Sequence, residues 1–209
     1  MQSVLEKSYS HPKVFDRRTL KKNGTPKPIR WTVDEYYRMY DLGLFSGKRV
    51  QLIRGEIIEM APMGAPHSTA LRLIVEALRN IFKKDYMVDS QLPPRFSQVD
   101  EPEPNIAVLR GRARDFVNEH PHTAVLIVEV ADSSLRFDRG RKAELYAENK
   151  IEDYWIIDLK KRCVEIHRQP TQDTDLVYRY GEVFTVNEDS AISPLAMPKS
   201  KIKVGDILP

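Results

Sequence analysis

The 209-residue sequence predicts an α/β chain, a mixed sheet flanked by helices with additional antiparallel strands. Three observations predict it. One stretch after Ser68 has apolar residues recurring at intervals of three and four, the signature of an amphipathic helix. Several short runs rich in β-branched residues follow it, each too short for an ordinary helix. Their order is neither a regular strand and helix alternation nor an all-strand meander, so the sheet should be mixed.

In chain order, residues 1 to 30 are polar, mildly basic and without periodicity. They read as an N-terminal arm, either a solvated extension or a phosphate-contacting segment, ahead of a domain spanning 31 to 209. Thr32 with Glu35 three residues later, ahead of Tyr36, Met39 and Tyr40, predicts a capping box opening a short helix. In RVQLIRGEIIEMAP, two short runs around Arg54 and Gly55 predict a hairpin or bulge. From Ser68, Leu71, Ile74, Val75, Leu78, Ile81 and Phe82 share one helical face, predicting a helix to about Lys84 with Arg72, Glu76, Arg79 and Lys83 opposite.

YMVDSQLPPRFSQ, PNIAVLRG and TAVLIVEVAD then read as three strands. The last is apolar on both faces and should be a central strand covered on both sides, which places Glu129 in a costly position. Ser133 or Ser134 can cap a second helix, LRFDRGRKAELYAENK. DYWIIDL reads as a buried strand and RCVEIHR as an alternating one, joined by a turn at Lys160 and Lys161. DLVYRYGEVF predicts an edge strand, and the Pro-containing tail closes the chain.

Composition excludes several classes. Hydrophobic residues at 41% and charged residues at 30% supply a core and argue against disorder. A net charge of +3 is too small to announce nucleic-acid binding alone. The single cysteine, Cys163, forms no internal disulfide and excludes a zinc site built on two or more thiolates, which suggests a cytoplasmic setting. No run approaches the about eighteen apolar residues of a membrane span, and the first residues lack the apolar core of a signal peptide.

Asn105, Glu129 and Lys142 belong together, two on strands and one on the next helix. A carboxylate inside an apolar strand must be protonated, ion-paired or ligating a cation. Lys142 falls on the inward stripe formed by Leu135, Asp138, Leu145 and Tyr146, so it can face Glu129 across a small site or pair with Asp138 one turn earlier. Acidic groups and an ammonium would suit metal-assisted attack of water on a phosphodiester, with a hard cation such as Mg²⁺.

The blocks QLIRGEIIEMAPMGAPHS, EPEPNIAVLR, LIVEVADSS, DRGRKAELYAENKIEDYWIIDLKKRCVEIHR and KIKVGDIL resemble the "putative restriction endonuclease" family expanded in cyanobacteria, a branch of the PD-(D/E)XK nuclease superfamily. The similarity runs over roughly 31 to 208. It implies a restriction-endonuclease-like fold with a mixed sheet of four strands between helices, cleavage of DNA dependent on Mg²⁺ (with Mn²⁺ as a substitute), and a homodimer. It also implies that the catalytic lysine has moved from the position of Ala131 to that of Lys142, beside the metal-binding Glu129. The family's metal-binding aspartate falls at Asn105, in EPN where EPD is expected. Glu103 would share a strand face with Asn105 if the strand reached that far, making it a candidate substitute ligand. Glu56 and His67 lie in matching blocks, Glu56 as an accessory acid and His67 as a helix-start residue or catalytic group. Arg136, Arg139 and Arg141 form the strongest local basic cluster, a solvated face or a phosphate contact. Tyr154 and Trp155 read as core packing, with a base-stacking platform as the alternative.

Overall fold

The computed structural model describes residues 27–209, so most of the expected arm lies outside the described residues. The first helix, α1 (Val33–Asp41), opens as its sequence predicts: Thr32 and Glu35 form a reciprocal capping box. A hairpin follows, β1 (Val50–Ile53) and β2 (Glu56–Glu59), with Arg54 and Gly55 both at positive φ. That turn needs its glycine, because a Cβ at position 55 would stand 2.7 Å from the Arg30 Cβ.

Helix α2 spans Ala65–Ile81, three residues earlier at both ends than the apolar periodicity predicts. Gly64 is its N-cap residue, and a proline in the first turn supports the early start because that position needs no N–H. The main sheet has six strands in sequential order: β3 (Tyr86–Ser90), β4 (Ile106–Arg110), β5 (Leu126–Ala131), β6 (Asp153–Asp158), β7 (Cys163–Gln172) and β8 (Tyr178–Asn187). Only the β5 and β6 pair is parallel; the other neighbours are antiparallel. The sheet is therefore two strands wider than the four-stranded core that the family resemblance implies. The small ladder β9 (Ala191–Ile192) with β10 (Ile202–Lys203) closes the chain.

Parallel pairing requires a crossover, and the crossover from β5 to β6 carries the second helix. The sequence predicts one continuous helix there. The structure breaks it into α3 (Leu135–Phe137), a π-helical turn (Asp138–Lys142) and α4 (Ala143–Glu148). Ser134 sits at the N-cap position, but its hydroxyl donates to Asp138 Oδ2 at 2.6 Å and caps no backbone N–H.

All six residues of β5 are buried, as expected of a strand covered on both sides. Its alternate residues divide the core. Leu126, Val128 and Val130 pack in a cluster with Ala70, Ile74 and Leu78 of α2. Ile127 and Ala131 pack in the opposite cluster with Ala143, Tyr146 and Ala147 of α4. Tyr154 and Trp155 are fully buried, one in each cluster, so they are core residues with no face available for a base. No helix among the described residues is long and apolar enough to cross a membrane.

Candidate active site

Strand parity decides where Glu129 points. It lies between Ile127 and Ala131 on the face covered by α4, and it is only 2% exposed. A carboxylate so buried needs compensation. Lys142 Nζ and the Tyr146 hydroxyl each donate to Oε1 at 2.7 Å, and the Asn105 backbone N–H donates to Oε2 at 3.3 Å. Lys142 and Tyr146 are four residues apart, so one helical face delivers both donors. The π-helical turn ends at Lys142 and keeps it inward, while Arg141 turns toward the hairpin and donates to the Ile53 carbonyl at 3.1 Å.

Asn105 is clamped to the same strand twice. Its N–H holds Glu129, and its side-chain oxygen accepts from the Val130 N–H at 2.8 Å. The three residues read together in the sequence thus meet in space.

Two further residues of the helical stripe join them: Asp138, which the sequence offers as an alternative partner of Lys142, and Tyr146. Asp138 is 1% exposed, accepts from Ser134, and has Oδ1 at 3.8 Å from Lys142 Nζ. Burial, and next the charge of Glu129, push its pKa up to about 7 against the pull of Lys142 and Ser134. Burial likewise holds the Tyr146 phenol protonated far above its ordinary range, so it serves as a donor. The available signal was spacing, since Asp138 and Tyr146 lie one turn before and after Lys142.

The other candidates are placed differently. His67, in the first turns of α2, stands near the Val130 backbone and within electrostatic reach of Glu129 and Asp132; burial lowers its pKa. Its Nδ1 is buried without a hydrogen-bond partner among the described residues. Glu56 belongs to the hairpin, where Arg141 and Arg30 both pair with it and hold its carboxyl below the usual range. Glu103 pairs with Arg49. It precedes β4, which begins only at Ile106, so the shared strand face with Asn105 does not form; Pro104 lacks the N–H that would extend the ladder. The basic cluster divides. Arg139 pairs with Glu165, Arg141 with Glu56, and Arg136 is exposed with no ion-pair partner among the described residues.

A hard cation would find two donors at the centre, Glu129 Oε2 and Asn105 Oδ1. Each accepts one hydrogen bond and has further lone-pair capacity. No group of three or more His, Cys, Asp or Glu residues suited to a metal ion occurs among the described residues. One carboxylate and one amide would offer Mg²⁺ or Mn²⁺ two protein donors, a weak site that water would have to complete.

Comparison with known proteins agrees with this architecture. No curated protein matches the chain. A crystal structure from Anabaena variabilis, described as "a putative nuclease belonging to DUF820", superposes with a TM-score of 0.67 at 16% identity, covering 86% of this chain and 97% of that one. At that identity the likeness establishes the fold. The sequence model of one family, Uma2, described as "Putative restriction endonuclease", matches residues 33–205. Because that match spans most of the 209 residues, the chain belongs to the Uma2 family of restriction-endonuclease-like proteins.

Proposed function

We propose that the protein is a Mg²⁺-dependent endonuclease that hydrolyses phosphodiester bonds in DNA, acting through Glu129, Lys142 and Asn105. The buried Glu129 and Lys142 pair, 2.7 Å apart beside Asn105, carries this reading. An ammonium has three N–H donors. Lys142 directs one at Glu129, and Asp138 Oδ1 stands farther off at 3.8 Å, so a donor can still serve an attacking water or a phosphoryl oxygen gaining charge. Tyr146 fixes the Glu129 carboxylate, leaving Oε2 turned toward Asn105. A cation held by Glu129 and Asn105 would polarise the phosphoryl group. Lys142 offsets the single carboxylate charge, so this chain binds the cation weakly until substrate phosphates add their own. Arg136 offers an exposed positive charge for the DNA backbone, and a homodimer is the proposed assembly.

The test is cleavage of supercoiled plasmid by purified protein with Mg²⁺ or Mn²⁺. The parent should nick or cut, and Glu129→Ala should not. Undiminished cutting by that variant would remove Glu129 from the mechanism. A second reading rests on Asn105, a neutral residue where the family resemblance expects an aspartate: a nuclease fold that binds nucleic acid or a protein without cleaving. It predicts no heat on titration with divalent ions and a DNA affinity that falls with salt. Micromolar Mn²⁺ affinity would count against it. Light scattering on the eluting peak decides the dimer.

A further inference from the structure

Arg49 stands just ahead of β1 and reaches the segment that carries Asn105. Its Nη2 pairs with the carboxylate of Glu103, two residues before Asn105, and the Glu103 backbone N–H donates in turn to the Gln51 side-chain oxygen at 3.1 Å. A second link runs through Gln91. Its backbone N–H donates to the Asn105 carbonyl at 3.2 Å, and with its amide oxygen turned toward Arg49 it accepts from Nη1 and Nη2 at 3.2 and 3.1 Å. His67 feels the positive charge of Arg49 as well as the negative charge of Glu129. These contacts place a guanidinium beside the Asn105 and Glu129 group.

The fork of Arg49 has donors to spare. A guanidinium carries five N–H groups, and this side chain is 38% exposed and lines an open cavity of about 200 Å³. Glu103 is 20% exposed, and an ion pair this open contributes little to folding. A carboxylate and a phosphodiester offer paired oxygens to a guanidinium in the same way, so one anion can replace the other on it. Glu103 therefore occupies the place that a substrate phosphate would take.

We propose that Arg49 is a phosphate-binding residue of the candidate active site: it takes a backbone phosphate of the DNA next to the phosphodiester bound at Glu129 and Asn105, and Glu103 is the anion that this phosphate displaces. The pair keeps the guanidinium oriented in the free protein and opens when DNA arrives. A contact to phosphate reads no base, so its strength is the same on every sequence. The inference deepens the nuclease reading and rests on it for the identity of the anion.

Fluorescence anisotropy with a labelled DNA duplex, in chelator so that no strand is cut, separates this contact from a purely structural ion pair. A structural pair is broken alike from either side, so Arg49→Gln and Glu103→Gln would then move DNA affinity in one direction or not at all. The proposal requires opposite signs. Arg49→Gln should weaken binding about tenfold and lower the slope of log affinity against log salt by about one, whereas Glu103→Gln frees the guanidinium and should tighten binding severalfold. In the Arg49→Gln background Glu103→Gln should have no effect, because no guanidinium remains to be freed. Arg49→Lys keeps the charge without the fork, so it should hold the parental salt slope and recover only part of the affinity, even if Arg49→Gln folds poorly. Changes of the same sign in the two single variants, tightening by Glu103→Gln that persists without Arg49, parental affinity in Arg49→Lys, or no DNA binding by the parent would overturn the contact. Plasmid cleavage by the parent with Mg²⁺ or Mn²⁺ judges the nuclease reading separately. Opposite signs without cleavage sustain the Arg49 contact and sink the enzyme, and cleavage without opposite signs does the reverse.

Discussion

The Asp138 carboxylate stands 3.8 Å from the Lys142 ammonium, at the opposite end of the π-helical turn, while Glu129 takes the same ammonium at 2.7 Å. Two buried acids thus share one cation, and the nearer one holds it. Burial first, and the charge of Glu129 second, push the Asp138 pKa up to about 7.

That arrangement predicts a pH dependence. The Asp138 pKa rises from 3.8 to about 7 on folding, so between these values the folded chain holds a proton that the unfolded chain has released. Stability is then fully present below the unfolded value and falls as pH rises through about 7. A shift of this size corresponds to on the order of 4 kcal/mol as an upper bound. Urea unfolding at about pH 5 and about pH 8 should show the parent losing stability across the interval. Asp138→Asn should lose much less, and an unchanged slope in that variant would dissociate the effect from Asp138.

The Glu129 and Lys142 pair should behave as a coupled unit. Glu129→Gln leaves a buried ammonium with only the distant Asp138, and Lys142→Met leaves a buried carboxylate with Tyr146 and Asn105. Each single change is expected to cost about 3 kcal/mol or more in urea unfolding. The double change should cost clearly less than the sum, because it removes both charges together. Plasmid cleavage should be lost in all three variants, which separates the chemical role of the pair from its contribution to folding.

Asn105→Asp should add a second carboxylate charge to the proposed cation site. The carboxylate can keep the Val130 N–H that the amide oxygen accepts at 2.8 Å, so the backbone need not move. A charge pair about 4 Å apart at an effective dielectric near 20 is worth about 4 kcal/mol, and Lys142 and the repulsion of Glu129 offset part of it. Mn²⁺ affinity measured calorimetrically without DNA should therefore tighten about ten- to a hundredfold. If cleavage appears only in Asn105→Asp, the natural chain is a retired enzyme. Equal cutting by parent and variant makes Asn105 an adequate ligand.

Much of this site was legible because it depends on periodicity. The alternation in LIVEVA placed Glu129 on a buried face, and the helical stripe placed Lys142 opposite it. The capping box at Thr32 and the Arg54 and Gly55 turn were legible because each depends on residues close in sequence. Long-range pairing was not. Nothing local announces that Arg141 reaches across 85 residues to Glu56, or that Glu165 takes Arg139 out of the basic cluster. The π-helical turn was equally hidden, since DRGRK differs from an α-helical sequence only by its glycine, while tertiary contacts such as the Tyr154 hydroxyl on the Asp138 carbonyl hold it.

Asp153 is a second buried acid and supplies a control for the role proposed for Glu129. It is 0% exposed, like Glu129 nearly so, and burial also pushes its pKa up against the opposing effect of Arg168. Its donors serve both oxygens, as those of Glu129 do, but they lie away from Lys142 and Asn105: Trp155 Nε1 at 2.8 Å and Arg168 Nε at 2.9 Å on Oδ1, and the Leu195 N–H at 2.8 Å on Oδ2. These contacts join β6, β7 and the C-terminal segment, and all of them come from the protein itself. Asp153→Ala should therefore cost about 3–5 kcal/mol in urea unfolding, as expected for a broken buried ion pair. Cleavage per folded molecule should stay at the parental level, because no oxygen of Asp153 belongs to the Glu129 group. A loss of cleavage in folded Asp153→Ala would mean that burial of a carboxylate, rather than an oxygen turned toward Asn105, is what the reaction requires.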